Sequence, residues 1–416
     1  MSISTLYLCY FGVREPLVQT QVLPYLRYLA AAGVKVSLLT FEPQLKQAWS
    51  KEQLEEKRTE LAAAGIRWLQ LPYHKRPSAP ATLYDIMAGA RFAAHMVRRE
   101  GIDVLHARSH IPMAMALLAR RRAACKVIFD IRGLMAEEYS DAGVWRENSR
   151  PFRAVKKIER AGIRRADQIV VLTEKMRQWL VTQNLKRVEE IEVIPCCVDF
   201  ERFDAGLRDE DEARGAQRFE VVYAGSVTGL YLLEEMGRFF MALREQRPEA
   251  FLRVLTVSSP TAVAEALERA GLRAEDFWTG SVSPKEVPIY LRRARLGISF
   301  RKPTFSQIAA SPTKIPEYLA VGLPVVSNAG IGDMDELIER ERVGVVLREF
   351  VEDAYKTAAE KALRIADDRG TRLRSARVAR KYFALNEVGG ARYLNVYRRL
   401  EEQQMMMKAE TGLARV

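Results

Sequence analysis

Apolar residues fall along this chain in two alternating patterns. Short unbroken runs rich in Leu, Val, Ile, Tyr and Phe are separated by segments in which apolar residues return every three or four positions. The first pattern predicts strands buried on both faces, and the second predicts helices with one apolar side. Ser4 to Phe11 is the first run. Val22, Tyr25, Leu26, Leu29 and Ala30 follow at helical spacing, Gly33 ends that helix, and Val34 to Thr40 is the next strand. Helix Glu52 to Ala64, strand Ile66 to Leu71, helix Leu83 to Arg99, strand Val104 to His106, helix Pro112 to Arg122 and strand Val127 to Ile131 continue the series. Strands Ile169 to Thr173 and Ile191 to Pro195 close it, with helix Glu174 to Leu180 between them. Such alternation predicts a doubly wound α/β domain on a parallel sheet.

Residues 205–217 break the pattern with a polar, charged segment that reads as a linker. The alternation restarts at Phe219 to Gly225 and runs through Leu252 to Val257, Phe277 to Gly280, Leu296 to Phe300, Pro324 to Ser327 and Val343 to Leu347. The expected organisation is a domain over residues 1–204, the linker, a second α/β domain over 218–381, a final helix over 382–402 and a mobile tail over 403–416. Two Rossmann-like domains of this kind are expected to face a central cleft lined by the carboxyl ends of their strands.

Composition adds limits. The chain has 416 residues, 48% hydrophobic and 28% charged, enough for two ordinary cores. No uninterrupted apolar stretch reaches membrane-spanning length, and the first residues lack a basic leader with an apolar segment behind it. With Cys9, Cys125, Cys196 and Cys197 in no Cys-x-x-Cys pair, a cytoplasmic protein with reduced cysteines is expected. The four histidines show no zinc-site spacing. The net charge is +12, and residues 1–200 hold 31 Lys+Arg against 21 Asp+Glu, leaving only +2 for residues 201–416. A basic first half points to an anionic membrane surface or phosphorylated lipid carriers, or is simply a basic solvated surface. No RNA- or DNA-binding motif is present, so no nucleic-acid partner is expected.

The densest local signal is Ser311-Pro-Thr-Lys-Ile-Pro-Glu-Tyr-Leu-Ala-Val-Gly-Leu-Pro-Val-Val-Ser-Asn328. It reads as loop, short helix, turn and buried strand. Thr313 is the expected N-cap, Pro316 suits the first turn, and Gly322 suits a left-handed stop. Lys314 at the first helical position makes an anion site with the free N–H groups, and Glu317 is placed to accept hydrogen bonds from ribose hydroxyls. A surface lysine and a solvated glutamate are the other reading of the same residues.

Pro312-Thr313-Lys314, then Glu317-Tyr318-Leu319-Ala320 and Gly322-Leu323-Pro324-Val325-Val326, resemble the signature of family 4 glycosyltransferases. Ala166 to Thr173 and Val193 to Asp199 resemble that family's first-domain closing segments. The resemblance implies the GT-B fold, a nucleotide-diphosphate sugar as donor held mainly by the second domain, and retention of anomeric configuration. In such chemistry the leaving diphosphate takes the acceptor proton, so no carboxylate pair is needed; no Asp-x-Asp pair stands at a strand end, so no metal or other cofactor is expected. It also implies that Glu317 holds the ribose. Bacterial cell-surface polysaccharide synthesis, with a lipid-linked or cell-surface glycan acceptor at the inner membrane face, is the implied setting. An epimerase of GT-B fold and a non-catalytic partner protein are the alternatives.

Further residues are assigned beside this motif. Gly225 and Ser226 follow the first strand of the second domain, where Gly225 would let backbone N–H groups approach a phosphate. The family carries an arginine and a lysine at the places held here by Ser226 and Tyr231, so the charge must come from Lys314, or next from Arg301 or Lys302. Ala309 stands where the family has a first glutamate. Gly280 and Val282 resemble the loop that touches the nucleobase, and Gly330 and Gly332 a glycine-rich turn facing the donor. In the first domain Asp130 and Arg132 follow a strand. Asp130 is a candidate to accept the acceptor's proton or orient the sugar, and Arg132 to hold a phosphate, or the two merely shape their loop.

Overall fold

The computed structural model describes residues 3–204 and 218–413. The predicted linker lies outside the described residues. The chain forms two compact units, Met1–Ala136 with Arg146–Pro195 and Leu385–Val416, and Glu137–Trp145 with Cys196–Ala384.

The first unit is built on seven strands: β1 (Ser4–Cys9), β2 (Lys35–Pro43), β3 (Ile66–Tyr73), β4 (Val104–Arg108), β5 (Lys126–Asp130), β6 (Gln168–Val171) and β7 (Ile191–Val193). Their order is β3-β2-β1-β4-β5-β6-β7, and every neighbouring pair is parallel. β1 is buried at all six positions, which is why its sequence is apolar on both faces. Helices Ser78–Glu100, His110–Arg120 and Arg150–Arg165 pack side by side, and helix Leu23–Ala31 packs with the closing segment Leu385–Leu413.

The second unit repeats the plan with six strands: β8 (Glu220–Ala224), β9 (Phe251–Leu255), β10 (Phe277–Gly280), β11 (Leu296–Ser299), β12 (Val325–Asn328) and β13 (Gly344–Leu347). The order is β10-β9-β8-β11-β12-β13, again all parallel. Both sheets reverse their winding once, between β1 and β4 and between β8 and β11, and such switch points are where doubly wound sheets bind ligands. The α/β class and two Rossmann-like domains are as expected.

Three boundaries differ from the sequence reading. Residues 137–145 and 196–204 cluster with the second unit, not the first. No single helix covers 382–402. Helix Arg369–Phe383 ends, a π turn follows at Leu385–Gly390, and helix Ala391–Leu413 begins. The turn lies flat on Tyr28, since a Cβ at Gly390 would stand 2.7 Å from that ring. The segment expected to be a mobile tail continues this last helix as far as Leu413.

The motif helix, Lys314–Ala320, is held by its apolar side chains. Ile315, Tyr318 and Leu319 are fully buried, and the Tyr318 Oη accepts the Ala224 N–H at 2.8 Å. Tyr318 rests on Gly297 of β11, where an added Cβ would fall 2.5 Å from the ring. Gly297→Ala is therefore expected to destabilise the second unit by about 1–3 kcal/mol through overpacking. Urea unfolding would show it, and a cost near zero would contradict this account of the packing.

Candidate active site

Four residues of the second unit meet beside its switch point. Gly225 follows β8, Arg301 lies two residues beyond β11, and Tyr231 forms an isolated bridge to Arg301. Lys314 enters from the start of the motif helix and is only 4% exposed. Its Nζ lies 3.6 Å from the centroid of the Tyr231 ring and donates to the Tyr223 Oη at 3.3 Å. Arg301 lies over the same Tyr231 ring at 4.9 Å, and its guanidinium donates to the phenol oxygen at 3.4 Å. Among the described residues neither cation is ion-paired with a carboxylate, and the buried Arg301 Nε has no hydrogen-bond partner.

The electrostatics follow from that packing. Burial pushes the Lys314 pKa below its ordinary value, with the Tyr231 contact opposing. Burial would raise the Tyr231 hydroxyl, but Lys314 and Arg301 outweigh it and hold the phenol below its usual range. A buried and a half-buried cation thus share one aromatic ring, and a dianion entering beside them would compensate both.

The backbone corrects several sequence assignments. Gly225 does not offer a free N–H, because it donates to the Leu255 carbonyl at 2.8 Å. Its φ of 135° and missing Cβ instead leave room for Lys314, whose Cε and Nζ would stand 3.2 Å from an added Cβ. Ser226 is turned outward, its carbonyl accepting from the Tyr223 hydroxyl and its Oγ 3.1 Å from Thr228 Oγ1. The N–H groups of Gly330 and Gly332 are also occupied, by Asp335 Oδ2 at 3.1 Å and the Gln307 carbonyl at 2.8 Å. That turn is closed on the protein. Thr313 takes the N-cap position with helical backbone angles and makes no side-chain cap. Lys302 donates to the Asp141 carbonyl at 3.2 Å, which leaves Arg301 as the second cation.

Glu317 is half-buried, one turn beyond Lys314, and burial raises its pKa against the pull of Arg202 and Lys314. Gly280 ends β10 and Val282 follows it, two strands or ~10 Å from β8, with Val282 packed on the core that holds the motif helix. Ala309, at the place of the family's first glutamate, is buried, and the polar groups beside it are Ser306 and Gln307. Gln307 donates to Ser306 Oγ at 2.8 Å, while its own Oε1 is buried without a partner. Sequence reasoning missed this pair, since neither residue lies in a recognisable spacing.

The first unit has its own charged cluster. Asp130, at the end of β5, is fully buried. It accepts hydrogen bonds from Tyr393 at 2.9 Å and from Arg108 and Arg132 at 3.5 Å each. His106 Nε2 lies 3.8 Å from it, and the other ring nitrogen meets the Tyr397 hydroxyl at 2.8 Å. Burial alone would raise the Asp130 pKa, but Arg132, His106 and Arg108 together hold it well below the usual carboxylate range. A carboxylate so stabilised is a poor proton acceptor. Its hydrogen bonds tie Asp130 to Arg132, Arg108 and Tyr393, which favours a part in positioning Arg132 over one as a base. Ser109 closes the switch point of this sheet at a φ of 71°, a strained value for a non-glycine residue. Tyr393 and Tyr397, from the last helix, could not be linked to Asp130 and His106 by any local pattern.

Comparison with known proteins bears on this first unit most directly. The family model of the glycosyl transferase 4-like domain matches residues 18–197. That match spans less than half of the 416 residues. The resemblance to family 4 glycosyltransferases read from the sequence is upheld. A Bacillus subtilis (strain 168) protein named as a teichuronic acid biosynthesis glycosyltransferase, TuaH, is 26% identical over 203 residues. That alignment covers 48% of this chain and spans half of the relative's length. Among solved structures, sucrose-phosphate synthase from Thermosynechococcus elongatus matches 96% of this chain and 100% of its own, with a TM-score of 0.72 and 15% identity. Anabaena Alr3699/HepE in complex with UDP-glucose matches 97% and 100%, with a TM-score of 0.62 and 13% identity. These likenesses show the fold, which is GT-B. The matched residues include His106, Arg108, Asp130 and Arg132 of the first unit's cluster, and the Lys314 cluster lies in the second unit, outside the match.

Asp130→Asn would leave Arg108 and Arg132 without their buried counter-charge, at an expected cost of about 3–5 kcal/mol near neutral pH. Tyr393→Phe removes one hydrogen bond to a charged group and should cost about 1.5–3 kcal/mol. The folded pKa of Asp130 lies below its unfolded value of about 3.9. Its contribution is thus fully present above that pH and is lost as pH falls through the folded value. Urea unfolding at neutral pH and below pH ~4 checks both statements. An Asp130→Asn protein as stable as wild type at neutral pH would contradict the ion-cluster account.

Proposed function

We propose that this chain is a retaining glycosyltransferase that moves a sugar from a nucleotide-diphosphate sugar to a lipid-linked or cell-surface glycan. One observation carries the reading: the buried Lys314 and the half-buried Arg301 share the ring of Tyr231, with Lys314 beside Gly225, and among the described residues neither is ion-paired with a carboxylate. The cost of such an arrangement is offset when a diphosphate occupies the site. The two cations stand in for the arginine and lysine absent from positions 226 and 231, and they supply the charge without a metal. Glu317 accepts the ribose hydroxyls, its burial favouring a hydrogen-bonded role. The buried Gln307 amide and the Ser306 hydroxyl contribute polar contacts to the donor sugar, in place of the glutamate that Ala309 replaces. On departure the diphosphate gathers negative charge, and Lys314 and Arg301 stabilise it where it forms.

The first unit holds the acceptor, with Arg132 presented by Asp130 as a contact for an anionic group. UDP-glucose in a protein of the same fold makes uridine diphosphate the first ligand to try, and the name of the teichuronic acid relative supports a cell-surface glycan as product.

Thermal unfolding with uridine, guanosine and adenosine diphosphates, in the presence of a chelator, tests the donor site. One nucleotide at 100 times its Kd should stabilise the protein by about 2.7 kcal/mol. Lys314→Ala and Arg301→Ala should each weaken binding at least about tenfold, as expected for lost charge-assisted contacts. No stabilisation by any of the three would remove the donor-site reading. Conversion of a nucleotide sugar to an isomer without any acceptor would favour an epimerase instead.

A further inference from the structure

Helix Arg150–Arg165 has two faces of opposite character. Phe152, Val155, Gly162 and Ile163 are buried, and the packing is so close that a Cβ on Gly162 would come within 2.9 Å of Met113 and Phe129. Glu159 is 1% exposed on this same side, 3.0 Å from His110 Nε2, and Lys156 turns inward to pair with it. The helix therefore cannot roll. Its outward face carries Arg150, Arg153, Lys157, Arg160 and Arg164, all exposed, at steps of three and four residues. Among the described residues none of the five has an ion pair or a hydrogen bond. They form one straight stripe ~21 Å long.

The neighbouring helices extend the same sign. Arg121 and Arg122 are exposed just beyond His110–Arg120, and Arg98 and Arg99 on the outer side of Ser78–Glu100. The three helices hold three carboxylates, and none is available to the stripe. Asp85 and Glu159 are buried, and Glu100 is paired with Arg67. Ser78–Glu100 also exposes Leu83 and Tyr84, at 60% and 61%, side chains of the kind that settle at a lipid–water boundary.

We propose that this stripe is a membrane-docking face that binds anionic lipid head groups. A row of unpaired cations on a rigid convex helix matches a flat field of mobile anions. A soluble anionic glycan has a foothold at one end, where Arg164 borders a pocket lined also by Asn184, Lys186 and Glu190, but the other four cations stand in a row along the exposed helix face, which suits a lipid surface better. The proposal deepens the lipid-linked acceptor reading and rests on it for its purpose, but it does not depend on the donor chemistry.

The test is flotation of the full chain with phosphatidylcholine vesicles, with and without phosphatidylglycerol, across a range of salt. Wild type should bind only the anionic vesicles and release as salt rises. Neutralising Arg153, Lys157, Arg160 and Arg164 together to Gln should weaken binding about fivefold per cation, several hundred-fold in all. The charge-keeping changes Arg153→Lys, Arg160→Lys and Arg164→Lys should retain it. Stabilisation by uridine diphosphate, measured on every variant, confirms an intact fold and keeps the two proposals separate. Vesicle binding lost with that stabilisation kept is the expected result for the Gln variant. Unchanged flotation of the Gln variant, equal binding to neutral vesicles, or binding of wild type to a soluble polyuronate but not to vesicles would each overturn the docking face.

Discussion

The second unit is arranged around a buried ammonium. Lys314 sits against two tyrosine rings at the switch point of a parallel sheet, and among the described residues no carboxylate is ion-paired with it. Everything nearby accommodates that charge. Gly225 gives it space, Tyr223 accepts its hydrogen bond, and Tyr231 offers its ring face to Lys314 and to Arg301 alike. Cation–π attraction is worth about 2 kcal/mol when desolvated, well short of the several kcal/mol that burying an ion costs. The deficit is local and directional. It falls where the proposed diphosphate would sit.

The first unit solves the same problem in the opposite way. Asp130 is one buried carboxylate shared by Arg108, Arg132, Tyr393 and the edge of His106. Here a carboxylate stands between two guanidinium groups and offsets part of their charge within the protein. Its product is the placement of Arg132, which keeps part of its surface. One chain thus carries a satisfied ionic cluster and an unsatisfied one, each following strands of a Rossmann-like sheet.

Much of this was legible in the residues. Parallel strands buried on both faces leave unbroken apolar runs, so both sheets could be read from runs such as Leu6 to Phe11 and Val221 to Tyr223. Gly322 takes the left-handed turn expected of it, with a φ of 77°. The roles of glycines were harder to read, because a missing Cβ serves either a free N–H or a close neighbour. For Gly225 the neighbour is Lys314, 89 positions away in sequence. The links from Tyr393 to Asp130 and from Tyr397 to His106 span still longer separations and follow only from the docking of the last helix. The break at Leu385–Gly390 was equally hidden, since its cause is the ring of Tyr28.

The pairing of Glu159 with His110 has a consequence for how this chain tolerates change in length. Each residue of an α-helix turns the face by about 100°. One residue inserted into or deleted from Arg150–Arg165, ahead of Glu159, would shift the preceding basic positions out of line with those behind it. The carboxylate fixes the phase of the helix, and with it the continuity of the stripe. Substitutions along that outward face touch nothing buried, whereas a change of a single residue in length would break its geometry. The helix is thus free to vary in composition and confined in register.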